Sequence, residues 1–268
     1  IADGSDLWCT LYSEPGAGSD LAAMQTRAVR DGDDYIINGQ KIWTSFGHYA
    51  DWGWLAVRTD PDVPKHKGLS TFAIKMDTPG ITIRPLVNMA GTHEFNEIFF
   101  EDVRVPAANL VGEENRGWYN VAVGLDFERS SIGATSNSRR MVDDLVTYLR
   151  TEKPRIDNAV KHRLVDEAIG VALLRNMAYY IASRQEKTGI APTREAQMAK
   201  LFGAELQQRI AATALQVFGM EGQAHRPVSR AASYRYGLLR SVANTIEGGT
   251  SEIQRSVIAT RGLGLPRE

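Results

Sequence analysis

Two periodicities divide the chain. Up to about residue 106, apolar residues fall in short runs cut by Gly, Pro, Asp and Asn, which predicts strands over 8–12, 24–30, 35–43, 52–59, 71–75, 81–85 and 97–105. The stretch Asp31-Gly32-Asp33-Asp34 sits where a hairpin should turn. Beyond Gly117 the apolar positions recur at the helical spacing. A first helix is predicted over 118–150, stopping ahead of Lys153-Pro154 because a proline biases the residue before it away from helix. A second covers 157–187, where Leu164/Val165, Ala168/Ile169 and Ala172/Leu173 recur at i, i+4 and i+8, a stripe wide enough to be buried between neighbours. A third, 193–218, carries Met198, Phe202, Leu206 and Ile210 along one face; a fourth covers 228–242, and a last follows Gly248-Gly249. Strands followed by long helices predict an α+β chain: an antiparallel β-barrel or sandwich over 1–112, then an up-down helical bundle over 113–268.

Composition narrows the function classes. With 43% hydrophobic and 24% charged residues in 268, the chain has enough apolar material for a packed core, which excludes disorder. Lys+Arg 31 against Asp+Glu 32 leaves no basic footprint for nucleic acid or an anionic membrane. No apolar run approaches the roughly 18 residues of a membrane span. The single Cys9 excludes a disulfide framework and a cysteine zinc site, and fits a reducing, cytoplasmic compartment. His48, His66, His93, His162 and His225 lack metal-ligand spacing, so no metal is expected; His48 and His93 fall near strand ends. The chain opens on Ile1 without Met or a signal-peptide pattern, so a further N-terminal piece is expected.

Three segments carry candidate chemistry. Tyr12-Ser13-Glu14-Pro15-Gly16-Ala17-Gly18-Ser19-Asp20 closes the first strand with glycines that let backbone amides approach a polar ligand and serines that could bond it; the same pattern also makes an ordinary turn. In Lys41-Ile42-Trp43-Thr44-Ser45 an indole at a strand end could lie against a flat heteroaromatic ring, or fill a core. Thr245-Ile246-Glu247-Gly248-Gly249-Thr250-Ser251-Glu252-Ile253-Gln254-Arg255 places a double glycine before a helix that Thr250 or Ser251 can cap, with first-turn amides open to negative charge.

Together with Phe100-Glu101-Asp102-Val103-Arg104-Val105-Pro106 and Gln216-Val217-Phe218-Gly219, these segments resemble the acyl-CoA dehydrogenase family, in family order and over nearly the whole chain. Only the family's N-terminal helical domain has no counterpart here. The resemblance implies FAD as cofactor and α,β-desaturation of an acyl-CoA. Tyr12, Ser13, Gly18, Trp43, Thr44 and Ser45 would contact the flavin, and Ser19 both flavin and the pantetheine of the thioester. Thr250, Ser251 and Glu252 would lie along the flavin, and Gln216 and Gly219 would approach the flavin of a neighbouring protomer. Asp126 and Arg129 would meet the coenzyme A end of the substrate, and Gly248 and Gly249 its thioester, with the Gly248 amide polarising the carbonyl.

The resemblance offers two positions for the base. Many members carry a glutamate directly before Gly-Thr-Ser in the loop, where this chain has Gly248; Glu247 stands one residue too early and is the second choice. The isovaleryl and long-chain branches carry the base on the first long C-terminal helix directly before the arginine, which here is Glu128, the first choice. The vacated loop also leaves room for a branched or bulky acyl group, in lipid or sterol breakdown. The family's Arg-x-x-Phe-Gly motif is missing at Leu149-Arg150-Thr151-Glu152-Lys153-Pro154-Arg155-Ile156, where Arg150 and Arg155 are the nearest cations. That departure points to an α2β2 heterotetramer with a related chain as well as the family's homotetramer, with an electron-transferring flavoprotein as acceptor. An acyl-CoA oxidase and a non-catalytic subunit of such a complex are the alternatives.

Overall fold

Alternating burial along the two longest strands sets the first half of the molecule: each turns one face to a core and the other to polar surroundings. The structure, a computed structural model, describes residues 3–129, 133–190, 192–224 and 229–266, with only the backbone described for 126–129, 133 and 134. The strands are β1 (Trp8–Leu11), β2 (Arg27–Asp31), β3 (Asp34–Ser45), β4 (Trp52–Arg58), β5 (Leu69–Lys75), β6 (Ile81–Val87) and β7 (His93–Pro106). They form one seven-stranded sheet in the order β1-β4-β2-β3-β7-β6, with β5 on β4. The sheet is mixed rather than wholly antiparallel. β1 runs parallel to β4 because the β2–β3 hairpin intervenes between them, and β2 touches β4 in parallel at Arg27 and Arg58. The hairpin turns at Gly32-Asp33, where the sequence predicts it, with Gly32 at φ 63°. Leu11, Tyr35, Ile37, Leu55, Phe72 and Phe100 lie at the centre of this core, with Tyr35 edge-on to Phe72 at 4.9 Å.

The helices are α1 (Gly117–Arg129), α2 (Gly133–Glu152), α3 (Asn158–Thr188), α4 (Thr193–Phe218), α5 (Met220–Gln223), α6 (Arg230–Asn244) and α7 (Ser251–Val257), followed by a π-helical turn at Ile258–Gly262. The helix predicted over 118–150 is recovered as α1 and α2 on either side of 130–132, which lie outside the described residues, as do His225 and the expected start of the fourth helix at Val228. Asp157 caps α3 by accepting from the Ala159 amide at 3.0 Å, and Gly189 ends it at φ 69°. The α3 stripe is only half covered: Leu164, Val171 and Leu174 join the helical core, whereas Val165, Ile169 and Leu173 are more than half exposed. On α4, likewise, Leu206 and Ile210 are buried but Met198 is exposed. Among the described residues no helix is long and apolar enough to cross a membrane.

Contacts divide the chain into units 1–124 and 125–268, a division inside α1. The reason is that the first two turns of α1 pack on the sheet unit. Gly117 lies so close to Ser70 that a Cβ there would stand 2.6 Å from its carbonyl carbon. Asn120 donates to Thr71 Oγ1 at 3.2 Å and to the Val111 carbonyl at 3.0 Å, and Trp118 meets His66 edge-on at 4.8 Å.

Candidate functional site

In the sheet unit, a buried ion pair fastens two of the candidate segments together. Lys41 shares the inward register of Tyr35 and Ile37 on β3 and is wholly buried. Its Nζ donates to the Glu14 carboxylate at 2.8 Å and to the Tyr12 carbonyl at 2.9 Å. Glu14 also accepts from the Gln25 and Thr26 amides at 2.6 and 2.9 Å. Burial alone would push the Glu14 carboxyl up, but the Lys41 charge and these hydrogen bonds together hold it below its ordinary value. Burial pulls Lys41 down to about 8, against the opposing pull of Glu14. The Ile42 amide donates to the Ser13 carbonyl at 2.9 Å, so Tyr12-Ser13 and Trp43-Thr44-Ser45 are stitched side by side. Arg58, also buried, donates to the Ala22 and Met24 carbonyls at 2.5 and 3.1 Å and closes the far end of the loop.

The register of β3 on β7 shifts between Lys41 and Thr44, and Trp43 takes φ 62°. This irregularity re-aims the strand end. The indole is 54% exposed and edge-on to Phe95 at 5.8 Å, so it is a surface platform and not a core tryptophan. Ser45 is exposed beside it, as are Gly18 and Ser19, while Tyr12 and Ser13 are partly buried. Thr44 differs: it is buried beneath the turn, with its Oγ1 lacking a partner among the described residues.

In the helical unit, the double glycine has a conformational cause: Gly248 and Gly249 take φ 62° and 92°. Lys200 Nζ donates to the Gly249 carbonyl at 2.6 Å, and Gln254 Nε2 donates to the Gly248 and Gly249 carbonyls at 3.0 and 3.1 Å. Thr250 caps α7 by accepting from the Ile253 amide at 3.1 Å. The first-turn amides are thus less open to a ligand than the sequence suggests. Ser251 donates to the Thr245 carbonyl and Gln254 to the Thr250 carbonyl, both at 2.9 Å. Glu252 draws on its own amide and the Thr250 hydroxyl, which hold its carboxyl below the ordinary value. Ser251 Oγ and Gln254 Oε1 are buried without a partner among the described residues, and Ser251 lines an opening of about 440 Å³. Glu247 is turned to Arg240, at 3.2 and 3.3 Å. Gln216 accepts from Arg163 at the end of an α3/α4 groove of about 470 Å³, with Gly219 just beyond it at φ 56°. In that groove Glu167 accepts from Thr213 at 2.6 Å, and burial raises its carboxyl.

Asp126, Glu128 and Arg129 fall in the last turn of α1, and their side chains lie outside the described ones. Residue type and spacing alone do not single out Glu14, Lys41, Arg58, Lys200 and Gln254 as positioning groups. For Lys41 a signal existed: a lysine at an inward strand position demands a buried partner, and Glu14 stands in the adjoining motif. In the sheet unit an exposed flat indole beside the Ser45 hydroxyl gives a stacking and donor set that suits a flavin; in the helical unit an unpartnered Ser251 hydroxyl and Gln254 amide oxygen lie beside the glycine loop.

Comparison with known proteins gives two family matches, the middle domain of acyl-CoA dehydrogenase over residues 9–103 and its C-terminal domain over 115–263. Acyl-CoA dehydrogenase IpdE1 of Mycobacterium tuberculosis is 39% identical over all of this chain and 69% of its own length. Among solved structures, the Tcur3481-Tcur3483 steroid ACAD superposes with TM-score 0.90 at 33% identity, covering 99% of this chain and 70% of that one. The ChsE4-ChsE5 complex from Mycobacterium tuberculosis does so with TM-score 0.89 at 34% identity, covering 100% and 71%.

Proposed function

This chain belongs to the acyl-CoA dehydrogenase family of FAD-dependent oxidoreductases, and from that premise we propose that it catalyses α,β-desaturation of an acyl-CoA thioester to the trans-2-enoyl-CoA. The observation that carries the assignment of roles is the glycine loop. Gly248 offers no carboxylate, and Glu247 is engaged by Arg240. Glu128 on α1 is then the base that takes the substrate's α-proton, and the neighbouring Arg129, with Asp126, meets the coenzyme A end. Bound FAD supplies the acceptor for the β-hydride. Tyr12, Ser13, Gly18, Trp43, Thr44 and Ser45 hold the flavin from the sheet unit, Ser19 adds the pantetheine, and Thr250, Ser251 and Glu252 serve it from the helical unit. Gln216 and Gly219 reach the flavin of a neighbouring protomer.

The substrate we assign is a branched or ring-bearing acyl-CoA. A Cβ at Gly248 would make only an ordinary contact, with Lys200 Cε at 3.8 Å, so the position is not crowded, and a structural relative is a steroid ACAD. The assembly we assign is α2β2 with a related chain. The missing Arg-x-x-Phe-Gly motif and the two-chain structural relatives, Tcur3481-Tcur3483 and ChsE4-ChsE5, favour it. An electron-transferring flavoprotein in the cytoplasm takes the electrons onward.

The test is anaerobic bleaching of the flavin by an acyl-CoA panel in the holoenzyme, comparing the parent with Glu128→Gln and Glu247→Gln. Loss of bleaching in Glu128→Gln alone, with ring-bearing or branched thioesters the best substrates by kcat/KM, is the expected result. Loss in Glu247→Gln alone would return the base to the loop, and a preference for straight chains would overturn the substrate class.

A further inference from the structure

The end of β3 holds two non-glycine residues in the left-handed region, Trp43 at φ 62° and Phe46 at φ 52°, on either side of Thr44-Ser45. Each such residue is strained and persists only where its surroundings fix it. Asn96 of β7 is what fixes it here. It is completely buried, and its Nδ2 donates to the Thr44 carbonyl at 3.0 Å. A pair of histidines holds the rest of the amide: Oδ1 lies 2.8 Å from His93 Nε2, and His48 Nδ1 lies 3.1 Å from Nδ2 and 3.2 Å from Oδ1.

One assignment of protons satisfies every partner. His93 donates from Nε2 to Oδ1, and His48, carrying its proton on Nε2, accepts at Nδ1 from the second amide hydrogen. The two imidazoles stack at 4.0 Å and 20°, and Tyr49 packs on the outer face of His48 at 4.0 Å and 47°. The turn is pinned on its other side too. The Phe46 amide donates to the Glu94 carbonyl at 2.8 Å, and a Cβ on Gly47 would stand 2.9 Å from Thr44 Cγ2. A side-chain amide with both of its hydrogens and its oxygen engaged cannot rotate without breaking several bonds at once.

We propose that Asn96, gripped by His93 and His48, is a positioning residue: it sets the Thr44 carbonyl, and through it the outward aim of Trp43 and Ser45 toward the flavin. The inference rests on the reading above that Trp43 and Ser45 contact the flavin. Asn96 itself touches neither cofactor nor substrate; its effect passes through the backbone of the turn.

The experiment uses the holoenzyme, stripped of flavin and reconstituted, with three readouts: the FAD Kd, the visible spectrum of the bound flavin, and the unfolding midpoint of the stripped protein. Asn96→Asp puts an oxygen where Nδ2 faces the Thr44 carbonyl. It is expected to weaken FAD binding roughly tenfold or more and to shift the visible band, with the stripped protein's midpoint moved by only a few degrees. His93→Gln keeps an N–H donor and is expected to stay within about threefold of the parent, whereas His93→Leu follows Asn96→Asp. Trp43→Leu is the control for the underlying reading. If it weakens FAD while Asn96→Asp and His93→Leu bind like the parent, the positioning role is overturned and the flavin contact stands. If Trp43→Leu leaves Kd and spectrum unchanged, the flavin contact itself is refuted and the inference with it. Should Asn96→Asp fail to fold, the His93 pair decides: equal effects of Gln and Leu would sink the proposal.

Discussion

Separating the Glu14–Lys41 pair should do more harm than removing it. Lys41 is wholly buried and its ammonium has the Glu14 carboxylate and the Tyr12 carbonyl as oxygen partners. Glu14→Ala strands that charge and removes the acceptor of the Gln25 and Thr26 amides, for an expected loss of about 3–5 kcal/mol. Lys41→Met strands the carboxylate, which keeps its two amide donors, and should fall at the lower end of that range. In Glu14→Gln/Lys41→Met neither charge remains and the Gln oxygen still serves an amide, so the double variant should be more stable than the sum of the single losses by about 1–3 kcal/mol. Urea unfolding of each variant at neutral pH, read as midpoint and slope, measures the cycle. Single losses under about 1 kcal/mol that simply add would refute the argument. The pair also sets an acid limit. The folded Glu14 carboxyl lies below its ordinary 4.5, so its contribution is full above that value and is lost as pH falls through the folded one. Lys41 acts in the alkaline range: between its folded value of about 8 and the ordinary 10.5 the unfolded chain binds more protons, and this group's contribution rises with pH.

Gly248→Ala should cost about 1–2 kcal/mol, from its φ of 62° alone, because its Cβ makes only an ordinary contact, 3.8 Å from Lys200 Cε. Gly117→Ala, whose Cβ would press on the Ser70 backbone, should lower the thermal midpoint further, and equal shifts would count against the distinction. Asp157→Ala should cost about 1 kcal/mol through loss of the α3 cap, with Asp157→Asn close to the parent in denaturant unfolding. Glu167→Gln keeps an acceptor for Thr213. Because burial raises the Glu167 carboxyl, its contribution is full below the ordinary 4.5 and is lost as pH rises through the folded value; the variant should be at least as stable as the parent at neutral pH and should lose that slope.

What could be read from the sequence was local. Gly32-Asp33 between two alternating runs specified a hairpin, and Asp157 and Gly189 marked the ends of α3, because each signal acts within a few residues. The parallel pairing of β1 with β4 left no such mark, since it joins residues some forty positions apart through backbone bonds that any side chain permits. The site divides the same way. Trp43, Ser45 and the double glycine stood out by residue type, but the bulge that turns Trp43 outward depends on register with β7. The hold of Lys200 and Gln254 on the glycine loop joins α4 and α7 to it, so first-turn amides that looked open are in part engaged. On α3 the paired apolar stripe gave the helix but not its cover, because periodicity shows how wide a greasy face is and not what lies on it.

The buried ion pair has a consequence for how this sequence can drift. Any single substitution that removes the charge of Glu14 or Lys41 passes through a chain with an uncompensated internal charge, so a library of random single changes should return few charge-removing variants at these two positions. The exposed Gly18 and Ser19, a few residues along the same loop, face no such barrier from the fold. The shape of the loop is therefore locked by two residues that touch nothing outside the protein, and its rim is left free to be retuned for a different ligand.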